Sequence, residues 1–109
     1  MNNINLDTLL NDTDYLNEVM GWASYLTARN AVNAKYPDVA TTCDEACRRD
    51  RATHRLKQRI ARKIDINDIR EAVKVGFEAF FKKGLDKHYA RADARKHTIM
   101  ILAAEHFAS

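Results

Sequence analysis

The segment 65-DINDIREAVKVGFEAFFKKG-84 decides the fold class, because its apolar residues recur at the three- and four-residue spacing of one helix face. The apolar positions are Ile66, Ile69, Val73, Phe77 and Phe80. A helix is expected to begin near residue 65 or 67 and to end at 82–84, where a glycine can take the left-handed conformation that is common after a last helical turn. The pattern predicts an amphipathic helix whose apolar side is covered by other helices.

Three further helices are predicted around this segment. They are expected over about 11–35, 42–63 and 86–107. The second begins with Thr42-Cys43-Asp44-Glu45, a capping box in which the threonine hydroxyl and the glutamate carboxylate each accept a hydrogen bond from a free backbone N–H. The chain has only three glycines and one proline, too few for the turns of a β-sheet fold. We therefore expect an all-α, single-domain bundle of about four helices spanning 1–109.

The expected core follows from the same helical spacing. In the first helix the apolar face contains Tyr15, Val19, Trp22 and Leu26. In the last helix it contains Tyr89, Ala92, Ile99, Leu102 or Ala103, and Phe107. Of the aromatic residues, Trp22, Phe77 and Phe80 are predicted to be buried, whereas Tyr25, Tyr36 and Phe81 lie off the apolar faces and are candidates for an interface.

The composition favours a folded protein. Hydrophobic residues make up 46% of the chain and charged residues 30%, which is unlike the low hydrophobicity of disordered chains. The amino terminus lacks the basic and apolar regions of a signal peptide, and no segment approaches the roughly 18 consecutive apolar residues of a transmembrane helix. A cytoplasmic protein that does not span a membrane is predicted.

No catalytic, cofactor or metal site is predicted. The glycines are isolated, which excludes a phosphate-binding loop, and no serine lies in a nucleophile motif. Cys43, Cys47 and His54 share a helix face, but Cys43 and His54 are about 16 Å apart along the axis, too far for one ion. Cys43 and Cys47 are expected to remain reduced thiols on one rigid turn.

The most distinctive feature is basic charge concentrated at 48–63. This segment contains eight Lys or Arg residues and one acidic residue, Asp50, which gives it a charge of +7 against +3 for the whole chain. At about 100° per residue, five arginines fall within an arc of about 80°, roughly opposite the apolar residues Leu56 and Ile60. They are Arg48, Arg51, Arg55, Arg59 and Arg62, here called the arginine stripe.

The arginine stripe favours phosphate binding, since a guanidinium group binds phosphate oxygens bidentately and all five positions are arginine and not lysine. Such a row on a surface helix could follow a nucleic-acid backbone. The candidate binding residues are Arg51, Arg55, Arg59, Arg62 and Lys63. Lys87, Arg91 and Arg95 recur at four-residue spacing in the predicted last helix, and they would extend this surface if the two helices are adjacent.

A structural interpretation accounts for part of the charge. Asp44 precedes Arg48 and Glu45 precedes Arg49 by four residues, the favourable order for ion pairs on a helix. Basic residues near the end of a helix are also stabilised by its dipole. The functional prediction therefore rests on the arginines that have no obvious partner within their helix. These are Arg51, Arg55, Arg59 and Arg62.

A second pattern lies in the same segment. Arg49-Asp50-Arg51-Ala52-Thr53-His54 is similar to the Arg-[Asn/Asp/His]-x3-His signature of the all-helical HEPN ribonucleases. The resemblance covers six residues and implies a homodimer in which Arg49 and His54 of both subunits cleave RNA. Within a regular helix, Arg49 and His54 lie about 140° apart, which does not favour a converging pair.

Three functional hypotheses follow. The first is a non-enzymatic binding protein whose arginine stripe contacts a nucleic-acid backbone, either DNA or RNA. The second is a small inhibitor or adaptor, of the kind that phages and plasmids encode, that binds an acidic protein surface. The third is a HEPN-like ribonuclease.

Overall fold

The protein is all-α, as the sequence predicts. A computed structural model describes residues 4–109 and contains five α-helices, four of them long. They are α1 (Leu6–Leu10), α2 (Thr13–Lys35), α3 (Cys43–Lys63), α4 (Ile66–Lys82) and α5 (Ala92–Ala108), with a 3₁₀ turn at Leu85–Lys87 between the last two. No strand occurs in the described part of the chain. The expected bundle of about four helices is confirmed, with one short helix added.

Short polar side chains fix the beginnings of α2, α3 and α4. The side chains of Asp12 and Thr42 accept hydrogen bonds from the backbone N–H groups of Tyr15 and Glu45, both at 3.1 Å. Asp65 does the same at the start of α4. Gly84, just beyond α4, has a φ of 71° and so provides the left-handed residue that the sequence predicts there.

Two helix boundaries differ from the prediction. The short helix α1 was not expected, although Leu6, Leu9 and Leu10 have helical spacing and Asn5 caps the helix. The last helix begins at Ala92 and not near residue 86, because the chain after Gly84 forms the 3₁₀ turn and reaches α5 through extended backbone at Arg91.

The core lies between α1, the first half of α2, α4 and α5. Its largest fully buried side chains include Phe80, Leu9, Ile69 and Ile99. Helices α4 and α5 approach closely at Gly76, where a Cβ atom would lie 2.8 Å from backbone atoms of both Ile99 and Ala103. A glycine is therefore required for the observed spacing of these two helices.

Several expected core residues are placed differently. Phe80 is fully buried, while Phe77, Leu102 and Phe107 are partly buried against the core. Trp22, Ile66 and Tyr89 are exposed by 42%, 38% and 39%, so the predictions that they are buried were wrong. Tyr89 precedes α5 and is not part of it, and Ile66 is the first residue of α4.

Trp22 is exposed because α2 packs against different partners along its length. Tyr15, Val19 and Ala23 face the core cluster, whereas Ala28 and Val32 are buried outside that cluster. At about 100° per residue, these two groups occupy different sides of α2, and Trp22 lies in the sector between them.

Helix α3 packs along α2, and the described residues show no comparable packing of α3 on α4 or α5. The molecule measures 49 × 29 × 19 Å, and its radius of gyration is 15.7 Å. A compact chain of this length would have a radius of gyration of about 13 Å. The elongated shape leaves most of the circumference of α3 exposed.

Candidate nucleic-acid interface

The arginine stripe lies on the side of α3 that faces away from α2. Thr53 is the buried residue of α3, and its hydroxyl donates a hydrogen bond to the carbonyl of Arg49. The centre of the stripe lies about 160° from Thr53 around the helix. All five stripe arginines and the neighbouring Lys63 are exposed.

The stripe arginines make no ion pair with any residue in the range 4–109. Arg51 donates one long hydrogen bond of 3.5 Å to the carbonyl of Cys47, within its own helix. The expected pair between Asp44 and Arg48 is not formed, and Arg48 therefore resembles the other four arginines in having no carboxylate partner in this part of the chain. The stripe spans about 21 Å, which is 14 residues at about 1.5 Å per residue.

Arg49 has a structural role at the start of α3. Its guanidinium group is 3.4 Å from the Glu45 carboxylate, which confirms the expected pair. The same group donates a hydrogen bond to the carbonyl of Asp38 and lies 5.7 Å from the centre of the Tyr36 ring. Arg49 thus ties the loop at 36–42 to the helix.

Glu45 completes the cap in a slightly different way from the predicted capping box. Its carboxylate accepts a hydrogen bond of 2.8 Å from the backbone N–H of Thr41, one residue before the N-cap. This hydrogen bond, together with the positive charge of Arg49, holds the pKa of Glu45 below its ordinary value. The ionised cap matches the positive end of the α3 dipole.

The second group of predicted basic residues does not join the stripe. Lys87 lies in the 3₁₀ turn, and Arg91 is the N-cap residue of α5, where it pairs with Asp93 at 3.4 Å. The Arg95 guanidinium group donates hydrogen bonds to the carbonyls of Asp86 and Tyr89 and so holds the turn against α5. Since α3 packs on α2, the structure does not bring these three residues next to the stripe.

Arg49 and His54, the pair in the ribonuclease-like pattern, point to different neighbours. The Arg49 side chain is directed to the loop at 36–42, as described above. His54 is exposed, and its Nε2 lies 3.5 Å from the Asp50 carboxylate. Nothing in the geometry of one chain brings the two side chains together.

An open cleft between α2 and α3 was not anticipated from the sequence. It has a volume of about 410 Å³ and is lined by Glu18, Gly21, Trp22 and Tyr25 of α2 and by Lys57 of α3; we call it the tryptophan cleft. The Trp22 and Tyr25 rings meet edge to face, with their centres 6.4 Å apart. The charged residues Glu18 and Arg29 share the Trp22 side of α2, and this spacing was the available sign that Trp22 is exposed.

Other side chains offer little for chemistry. Cys43 and Cys47 are free and exposed. Within residues 4–109, no group of three or more His, Cys, Asp or Glu side chains is arranged to hold a metal ion. None of the helices in that range is long and apolar enough to cross a membrane.

Comparison of the chain with protein-family models, with curated proteins and with solved structures finds no match.

Proposed function

We propose that this protein is a non-enzymatic binding protein whose arginine stripe contacts the phosphate backbone of a nucleic acid. The observation that carries the proposal is the exposure of five arginines along one side of α3, without a carboxylate partner in the described part of the chain. Like charges on neighbouring turns of a helix are mutually destabilising, so the repulsion among the stripe arginines opposes folding, and only Arg62, in the last turn, gains from the helix dipole. An external polyanion would relieve the repulsion.

The dimensions of the stripe suit a nucleic-acid strand. In duplex DNA, each strand carries one phosphate per about 3.4 Å of helix axis, so a stripe of about 21 Å is as long as the axial rise of roughly six base pairs. The side of α3 opposite α2 is not covered by another helix of the described chain, and an α-helix fits in the major groove. Guanidinium groups can bind phosphate oxygens bidentately, which favours the backbone as the ligand.

The test is binding of a fluorescently labelled oligonucleotide at low salt, measured by anisotropy. The parent protein is expected to bind with a dissociation constant of about 1–100 μM at physiological salt, the range of non-specific phosphate contacts, and more tightly at low salt. Changing Arg51, Arg55 and Arg59 together to Glu is expected to abolish binding. Absence of binding by the parent would overturn the proposal and leave an acidic protein as the better partner for the stripe.

A pair of double variants controls for net charge. Arg55→Glu/Arg59→Glu and Lys82→Glu/Lys83→Glu lower the net charge of the chain by the same amount. Lys82 and Lys83 are exposed at the end of α4. We expect the α3 variant to lose most of its affinity and the α4 variant to keep most of its affinity. Equal losses of affinity in the two variants would show that binding depends on the net charge of the chain and not on the arginine stripe.

A further inference from the structure

The tryptophan cleft has the chemistry of an aromatic-stacking site. Its lining is mainly apolar, and Trp22, one of the lining residues, is 42% exposed. The cleft has open space beside Gly21, because a Cβ atom at this position would meet nothing within 4 Å. A planar ring could therefore lie against the indole without displacing another side chain.

The charges around the tryptophan cleft indicate what kind of ring it takes. Lys57 contributes a positive charge from α3, and the Arg29 guanidinium group lies 5.9 Å from the centre of the Tyr25 ring. Glu18 places a carboxylate in the lining, which repels phosphate but accepts hydrogen bonds from the exocyclic amino groups of bases. The cleft itself suits a nucleobase, and the cations beside it suit the attached phosphates.

A row of side chains connects the tryptophan cleft to the arginine stripe. Arg51, His54 and Lys57 follow one another at three-residue spacing, so each is displaced by about 60° around α3 from the one before. Residues three apart on a helix have Cβ atoms about 5–6 Å apart. The His54 ring also lies 6.3 Å from the Tyr25 ring. The row leads from the edge of the stripe to the cleft.

We propose that the tryptophan cleft holds an unpaired base of a single-stranded nucleic acid whose phosphates lie on the arginine stripe. This inference rests on the proposed function and adds the form of the ligand. In a duplex, the faces of internal bases are covered by their neighbours and cannot stack on Trp22. Stacking of a base on an aromatic side chain contributes enough to change affinity about 10-fold.

Fluorescence titration tests this inference, since Trp22 is the only tryptophan of the chain. The probes are an unstructured DNA decamer, the RNA decamer of the same sequence and a blunt DNA duplex of the same length. Single strands are expected to quench Trp22 and to bind more tightly than the duplex. The affinities of the DNA and RNA decamers show whether the cleft prefers an unpaired base of DNA or of RNA.

Variants of Trp22 give a second readout, by anisotropy. Trp22→Ala is expected to weaken single-strand binding about 10-fold and to change duplex binding less than about twofold. Trp22→Phe should retain most of the single-strand affinity. If single strands bind without quenching and Trp22→Ala has no effect, the cleft is not a base site and the proposed function stands. If no probe binds, both proposals fail.

Discussion

Helices α3 and α4 are both strongly amphipathic in sequence, but their side chains serve different purposes. Helix α4 contributes five buried residues, and a glycine within it allows close contact with α5. Helix α3 is longer, yet it contributes one buried residue, Thr53, and none to the main core cluster. A helix that buries so little of its own surface stabilises the fold weakly and leaves its arginines free for a ligand.

The largest expected effect is a difference in the cost of removing apolar side chains from the two helices. Phe80→Ala in α4 should lower the free energy of unfolding by about 3–5 kcal/mol, because Phe80 is fully buried. Ile60→Ala in α3 should cost about 1 kcal/mol, since Ile60 is only partly buried. Urea denaturation measures the free energy of unfolding of both variants. Equal losses would show that α3 and α4 contribute equally to stability.

Two glycine substitutions are expected to change stability in opposite directions. Gly76→Ala should destabilise the protein by about 1–3 kcal/mol, since the new methyl group would press on the backbone of α5. Gly21→Ala should stabilise it by about 0.5–1 kcal/mol, because α2 has open space at that position and alanine is the better helix former. The midpoint of thermal denaturation should therefore fall in Gly76→Ala and rise in Gly21→Ala. A higher midpoint in Gly76→Ala would show that α4 and α5 are not closely packed.

Tyr15 gives a smaller effect that depends on pH. Its hydroxyl donates a hydrogen bond of 2.7 Å to the carbonyl of Lys96, which links α2 to α5, and Tyr15→Phe should cost about 1 kcal/mol. Burial raises the pKa of Tyr15 above its ordinary value of 10.0. The folded state therefore keeps a proton that the unfolded chain releases at high pH.

The sign of the pH effect follows from that difference. The contribution of Tyr15 to stability is complete below about pH 10 and is lost as the pH rises further. Stability measured by urea denaturation should fall above pH 10 more steeply in the parent than in Tyr15→Phe. Identical slopes would mean that Tyr15 is not buried in its neutral form.

The smallest expected effect concerns the arginine stripe itself. Arg55→Ala and Arg59→Ala should each change the free energy of unfolding by less than about 0.5 kcal/mol, because both side chains are exposed. Arg49→Ala is the matched control and should cost about 1 kcal/mol through its lost contacts with Asp38 and Glu45. A large loss at Arg55 or Arg59 would indicate a structural role.

Local signals in the sequence predicted most of the fold. The apolar spacing and the caps at Asp12, Thr42 and Asp65 placed the beginnings of α2, α3 and α4 to within about two residues, and Gly84 marked the end of α4. The short helix α1 was missed because five residues give a weak periodic signal. The start of α5 was misplaced because helical spacing does not reveal the 3₁₀ turn, which Arg95 holds through hydrogen bonds to the carbonyls of Asp86 and Tyr89.

The candidate site was predicted less completely than the fold. The direction of the arginine stripe follows from helical periodicity alone, so its exposure could be anticipated. Which helices are adjacent cannot be obtained from periodicity, and for this reason Lys87, Arg91 and Arg95 were grouped with the stripe. The exposure of Trp22 follows from the change of packing partner along α2, and its local sign in the sequence was the presence of Glu18 and Arg29 on the same side of the helix.

The salt dependence of oligonucleotide binding measures how many phosphate contacts the arginine stripe makes. Each phosphate contact contributes about −0.7 to −0.9 to the slope of log K against log salt concentration, so five arginines predict a slope of about −3.5 to −4.5 for the parent. Arg55→Ala/Arg59→Ala should make the slope less steep by about 1.4–1.8, with the fold intact. An unchanged slope in this variant, or binding that is insensitive to salt, would contradict the account.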